Sequence, residues 1–83
     1  MHRTTRRFWK GLENLPEPVQ RLAEKNFKLL KANPQHPSLH FKIVGRFWSA
    51  RIGINYRALA VKDGEDFIWV WVGTHDEYDR MIK

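Results

Sequence analysis

Apolar residues recur at helical spacing through the first third of the chain and at alternate positions through most of the rest. Phe8, Trp9, Leu12 and Leu15 mark a first helix that Thr4 or Thr5 can cap, with Arg6 and Arg7 in its first turn opposing the helix dipole. Pro16 and Pro18 break the chain and suit the first turn of a second helix. That helix presents Val19, Leu22, Ala23, Phe27 and Leu30 on one face and Arg21, Lys25, Lys28 and Lys31 elsewhere, and Asn33-Pro34 stops it. Gln35 to Ser38 reads as an extended connector. The period then changes to two, predicting strands over Leu39 to Val44, Phe47 to Ile52, Tyr56 to Lys62 and Phe67 to Val72. Gly53-Ile54-Asn55 and Asp63-Gly64-Glu65 are turns built from residues that tolerate positive φ. Thr74-His75-Asp76-Glu77 has the form of a capping box and predicts a short C-terminal helix to about Ile82. The predicted class is α+β: two antiparallel N-terminal helices packed on a twisted antiparallel meander of about four strands, then one short helix.

Turn lengths set the faces of the sheet. A three-residue loop at Gly53-Ile54-Asn55 places Arg51 opposite Arg57, and a three-residue loop at Asp63-Gly64-Glu65 then places Arg57 opposite Trp71. One face would hold Ser49, Arg51, Arg57, Leu59, Trp69 and Trp71 and run on toward His75. The other would hold Trp48, Ala50, Ile52, Ala58, Ala60, Ile68, Val70 and Val72 and receive the helices. A two-residue turn at Asp63-Gly64 would move the last strand by one residue and reverse its faces. The longer loop is preferred because it gives one apolar core and one coherent polar face.

Charge sharpens this picture. Between Glu24 and Asp63 there is no carboxylate, whereas Lys25, Lys28, Lys31, Lys42, Arg46, Arg51, Arg57 and Lys62 all lie in that stretch with His36 and His40. The 83 residues carry a net charge of +6. A one-signed run in a patterned globular sequence repels itself unless an anion completes it, and Lys and Arg among aromatics most often meet a nucleic-acid backbone. The length suits one domain, spanning 1–83, and 42% hydrophobic residues make a thin core. The absence of cysteine excludes disulfides and thiolate zinc sites. His36 and His40 do not suggest a metal site, since Pro37 interrupts the helix such spacing needs and no acidic ligand is near. No apolar run approaches the roughly 20 residues that span a bilayer, and no signal-peptide core follows the basic start. A cytoplasmic location without metal, cofactor or membrane partner is expected.

Three segments together resemble a known family. Phe47-Trp48-Ser49-x-Arg51-Ile52, Tyr56-Arg57-Ala58-Leu59 and Gly73-x-His75-x-x-Tyr78 are similar to the RelE/ParE superfamily of bacterial type II toxins, the first two most closely to its YoeB branch. The resemblance runs from about Phe8 to Lys83, and only Met1 to Thr5 remain for the family's first strand, a rudimentary one. It implies a microbial-RNase-like fold, metal-independent cleavage of mRNA on the ribosome, and neutralisation by a cognate antitoxin. It also implies that Arg57, Arg51, His75 and Tyr78 are catalytic. The carboxylate that the YoeB branch carries before its second strand has no counterpart in Pro37-Ser38-Leu39-His40, so His40, His75 or a lysine is left as the general base. The alternatives are a ParE-like gyrase inhibitor and a non-catalytic RNA-binding protein.

The chemistry of these residues agrees with such a role. Cleaving RNA through its own 2′-hydroxyl needs a proton acceptor, a donor for the leaving 5′-oxygen, and positive charge at the phosphorane. Arg51 and Arg57 suit the last as permanently charged forks. His75 is the natural acid or base, since imidazole titrates near neutrality. Tyr78, three residues on, can position a phosphate or donate a proton. His40, Lys42, Arg46 and Trp71 are the candidate nucleic-acid contacts, and Trp69 or Trp71 can stack a base.

Overall fold

The first three residues of regular structure are a short strand, β1 (His2–Thr4), in the computed structural model, which describes residues 1–82. Thr5 ends it and caps α1 (Arg6–Glu13): its Oγ1 accepts from the Phe8 amide and donates to the Trp69 carbonyl, 2.9 Å away. One hydroxyl thus ties the helix start to the sheet. Helix α1 buries Phe8 and Leu12. It also approaches the sheet closely at Gly11, where a Cβ would stand 3.1 Å from both Cγ1 and the carbonyl oxygen of Val72. Helix α2 (Glu17–Ala32) begins after Pro16 and buries Ala23 and Leu30. Its Asn26 donates from Nδ2 to the Arg51 carbonyl, joining it to the third strand.

The connector departs from the extended form predicted. Pro37–Leu39 form a 3₁₀ turn, capped by His36 Nδ1 accepting from the Ser38 amide, and Leu39 is buried at its end. His40 then takes a left-handed conformation, φ 46°, so the next strand starts late: β2 is only Lys42–Val44. The remaining elements are β3 (Phe47–Ile52), β4 (Tyr56–Asp63), β5 (Asp66–Thr74) and α3 (His75–Ile82). They form a five-stranded sheet in the order β1-β5-β4-β3-β2, with β1 parallel to β5 and every other pair antiparallel.

The register of β3 on β4 is the predicted one, with Arg51 opposite Arg57 and Ile52 opposite Tyr56. The β4–β5 hairpin is not. Asp63 faces Asp66 across a two-residue turn, Gly64-Glu65, with Gly64 at φ 61°. Further along, Ala60 pairs with Trp69 but Leu59 with Trp71, so Val70 is an extra residue in a β-bulge. Beyond the bulge the two one-residue offsets add to two, which restores the predicted faces, so Trp71 shares a face with Arg57. Arg57 itself faces Gly73.

Before the bulge the faces are reversed, and Trp69 belongs to the core rather than the polar face. It is 2% exposed and its Nε1 donates to His2 Nδ1 at 3.1 Å. Burial of the largest side chain favours this register, and Ala23, Ala50, Ala58 and Ala60 leave room for it between sheet and helices. Ile68 correspondingly leaves the predicted core face and pairs with Val61, which is exposed.

The opposite face is not open. Helix α3 packs on β4 and β5, and on that side Ser49, Leu59 and Tyr78 are buried. This second, smaller core positions the candidate site.

Candidate functional site

Two rows of residues cross the α3 face of the sheet. Lys42, Ser49, Leu59 and Trp71 are successive cross-strand partners in one row, and Arg51, Arg57 and Gly73 in the next. Directly opposed arginines repel, and both must be held by something other than each other. Arg57, half-buried, donates from Nη1 to the Tyr56 carbonyl at 3.1 Å, and its guanidinium carbon lies 5.8 Å from the Tyr78 ring centre. Burial and then the charge of Arg51 hold its pKa below the ordinary arginine value, while Tyr78 and Asp79 oppose that shift. Arg51 donates from Nε to the Gly53 carbonyl and from Nη1 to His40 Nε2, both at 3.0 Å. Arginine has no acceptor, so the His40 Nε2 accepts and the proton of its neutral ring is on Nδ1. The left-handed turn at His40 is what brings that ring to Arg51.

The ion pairs among the described residues are Met1–Asp66, Arg3–Asp66, Arg21–Glu17 and His75–Asp79. None of the lysines and arginines from Lys25 to Lys62 takes part. The nearby acids are engaged elsewhere: Glu77 accepts from the Thr74 amide and hydroxyl while Thr74 Oγ1 accepts from the Glu77 amide, the reciprocal box predicted. Those Thr74 bonds, backbone first, hold the Glu77 pKa below the usual carboxylate range.

His75 opens α3, and its amide donates to the Asn55 carbonyl at 2.7 Å, which fixes the helix start against the β3–β4 turn. Its ring lies 6.0 Å from that of Tyr78. Nε2 stands 3.3 Å from Asp79 Oδ2, one helical turn on, and Nδ1 is buried with no hydrogen-bond partner among the described residues. In the sequence the one signal for Asp79 is its spacing four residues after a helical histidine.

Of the residues proposed from the sequence, Arg51, Arg57, His75 and Tyr78 lie together, and His40 joins through Arg51. Lys42 is exposed on the same face, beside Ser49. Trp71 is half-buried with its indole folded over Gly73, where a Cβ would come 2.5 Å from the ring. Arg46 does not join them. It lies in the β2–β3 turn, five residues and roughly 16 Å along the strand from Arg51, in a groove with Val44, Phe47, Met81 and Ile82. Among the described residues no three His, Asp or Glu side chains gather as metal ligands, and no helix is long and apolar enough to cross a membrane.

No protein-family model and no curated protein matches the sequence. Solved structures do. The RelB–RelE antitoxin–toxin complex of Methanococcus jannaschii matches with a TM-score of 0.75 at 15% identity, over 98% of this chain and 99% of that one. The RelBE2 toxin–antitoxin complex of Mycobacterium tuberculosis matches at 0.64 and 24% identity, over 90% of this chain and 96% of that one. The fold is that of the RelE toxins. A copper-bound mutant toxin from Helicobacter pylori shares it at 0.62 and 19% identity, over 92% and 94% of the two chains. Within the RelE fold, Arg51 and Arg57 are on the two central hairpin strands and His75 and Tyr78 on the helix that crosses them.

Proposed function

We propose that this chain is the toxin of a type II toxin–antitoxin pair and acts in the cytoplasm as a metal-independent endoribonuclease on ribosome-bound mRNA. One observation carries the reading: Arg51 and Arg57 oppose each other on β3 and β4, with no ion pair to a carboxylate among the described residues, beneath a helix that brings His75 and Tyr78 to the same place. A phosphodiester between the two guanidinium groups relieves their repulsion and receives charge-assisted hydrogen bonds as negative charge grows at the phosphorane. Tyr78 braces Arg57, His40 braces Arg51, and α3 supplies the groups for proton transfer.

The partner is an antitoxin with acidic and apolar residues. A groove of about 620 Å³ between α2 and the β3–β4 turn suits it, lined by Leu22, Leu29 and Ile54 with Lys25, His36 and Arg51. Ile54 is 75% exposed there, which leaves an apolar side chain for a partner to cover.

Induced expression followed by mapping of mRNA ends, with and without ribosomes, tests the reading. Cuts confined to translated regions are expected, with Arg57→Ala lowering the rate by about 100-fold or more. Inhibition of DNA supercoiling without any cut would transfer the chain to the gyrase-directed toxins. Binding of RNA with no cleavage under either condition would leave only the non-catalytic reading.

A further inference from the structure

We infer that Asp79, rather than His75, is the group that takes the proton from the attacking 2′-hydroxyl, an assignment that rests on the RNA-cleavage reading above. The two nitrogens of His75 are differently placed. Nδ1 is buried, and Nε2 faces Asp79 Oδ2 at 3.3 Å. An ionised carboxylate only accepts, so the neutral imidazole carries its hydrogen on Nε2 and its lone pair on Nδ1. A substrate hydroxyl does not reach that lone pair. The imidazolium has no lone pair at all. In neither state does His75 present a base to the outside.

Asp79 does. Its side chain is 44% exposed and only Oδ2 faces the imidazole, leaving Oδ1 for a hydroxyl. It also lies close to the phosphate position, because its neighbour in α3, Tyr78, has its ring centre 5.8 Å from the Arg57 guanidinium carbon. The i,i+4 spacing puts it on the same side of α3 as His75, with Tyr78 beside it. His75 is then a positioning residue: its Nε2–H fixes the carboxylate.

In the step, Asp79 Oδ1 accepts the 2′-hydroxyl proton as the 2′-oxygen bonds to phosphorus. The bond from phosphorus to the 5′-oxygen breaks, and that oxygen takes a proton from water. The products are a 2′,3′-cyclic phosphate and a 5′-hydroxyl end, and Asp79 returns its proton to solvent. Arg51 and Arg57 hold the non-bridging oxygens throughout.

The test compares wild type, Asp79→Asn and His75→Gln in ribosome-dependent cleavage of a defined mRNA. Asparagine keeps the size of the side chain at a part-exposed helix position but takes no proton, so thermal unfolding stays close to wild type while cleavage falls by about 100-fold or more. Glutamine retains an N–H donor, and His75→Gln stays within about tenfold. Asp79→Asn within threefold of wild type, or His75→Gln as inactive as Arg57→Ala, overturns the assignment and leaves the nuclease reading intact. A silent wild type overturns the nuclease reading itself. Nitrogen NMR of the neutral His75 ring is independent of activity: Nδ1 is expected to be its unprotonated nitrogen, and an unprotonated Nε2 overturns the geometry.

Discussion

Thr74 shows how much one side chain can decide. Its hydroxyl both accepts from the Glu77 amide and donates to the Glu77 carboxylate, closing the first turn of α3. That turn carries His75 at its start and Tyr78 at its end, so the cap also sets the geometry over Arg57. Thr74→Ala is expected to cost about 1 kcal/mol in urea unfolding, with Thr74→Ser recovering most of it. Equal stability of all three proteins would show that packing of Tyr78 alone holds the helix. The box was legible in the sequence because its partners are three residues apart and need no tertiary contact. The sequence does not mark Asp79, for a different reason: a carboxylate four residues after a histidine is common on helix surfaces. Its proposed role depends on how α3 is seated on the sheet, with Tyr78 against Arg57, 21 positions apart in the chain.

At the scale of elements, β5 carries the largest departure from expectation. Its turn is one residue shorter than predicted and the bulge at Val70 restores the faces beyond it. Neither leaves a local mark, because Asp63-Gly64-Glu65 accommodates turns of two or three residues. What selects the register is Trp69, which fills the space between α1, α2 and the sheet. Strand β1 completes that space. The His2 ring stacks on Phe67 at 5.3 Å, meets Phe27 edge-on at 5.8 Å, and accepts from Trp69. Burial, then the Met1 ammonium and Lys31, hold its pKa below the ordinary 6.5. The unfolded chain therefore binds more protons than the folded one once pH drops below that value, and stability is lost as pH falls through the depressed folded pKa. Wild-type unfolding free energy should decline from pH 7 to pH 5 more than that of His2→Gln. Parallel pH curves for the two proteins would remove His2 from this role.

The charge distribution belongs to the whole molecule. The ten Lys, Arg and His side chains from Lys25 to Lys62 form no ion pair among the described residues, and the net charge is +6. Affinity for single-stranded RNA should fall steeply with salt, and the Arg51→Ala, Arg57→Ala double variant should lower the log–log slope by about 1.4, at about 0.7 per phosphate contact. Identical slopes would place the RNA elsewhere on the surface. The one-signed stretch, the two helices, the Arg51–Arg57 pairing across a three-residue turn and the α3 cap all followed from the order of residues. Each depends on neighbours along the chain, whose spacing repeats what the backbone does locally. The bulge, the inward turn of Trp69, the hold of His40 on Arg51 and the seat of the Tyr78 ring against Arg57 were decided only by packing. Those contacts join segments whose distance in the chain says nothing about their distance in space, and filling a small core is what sets them.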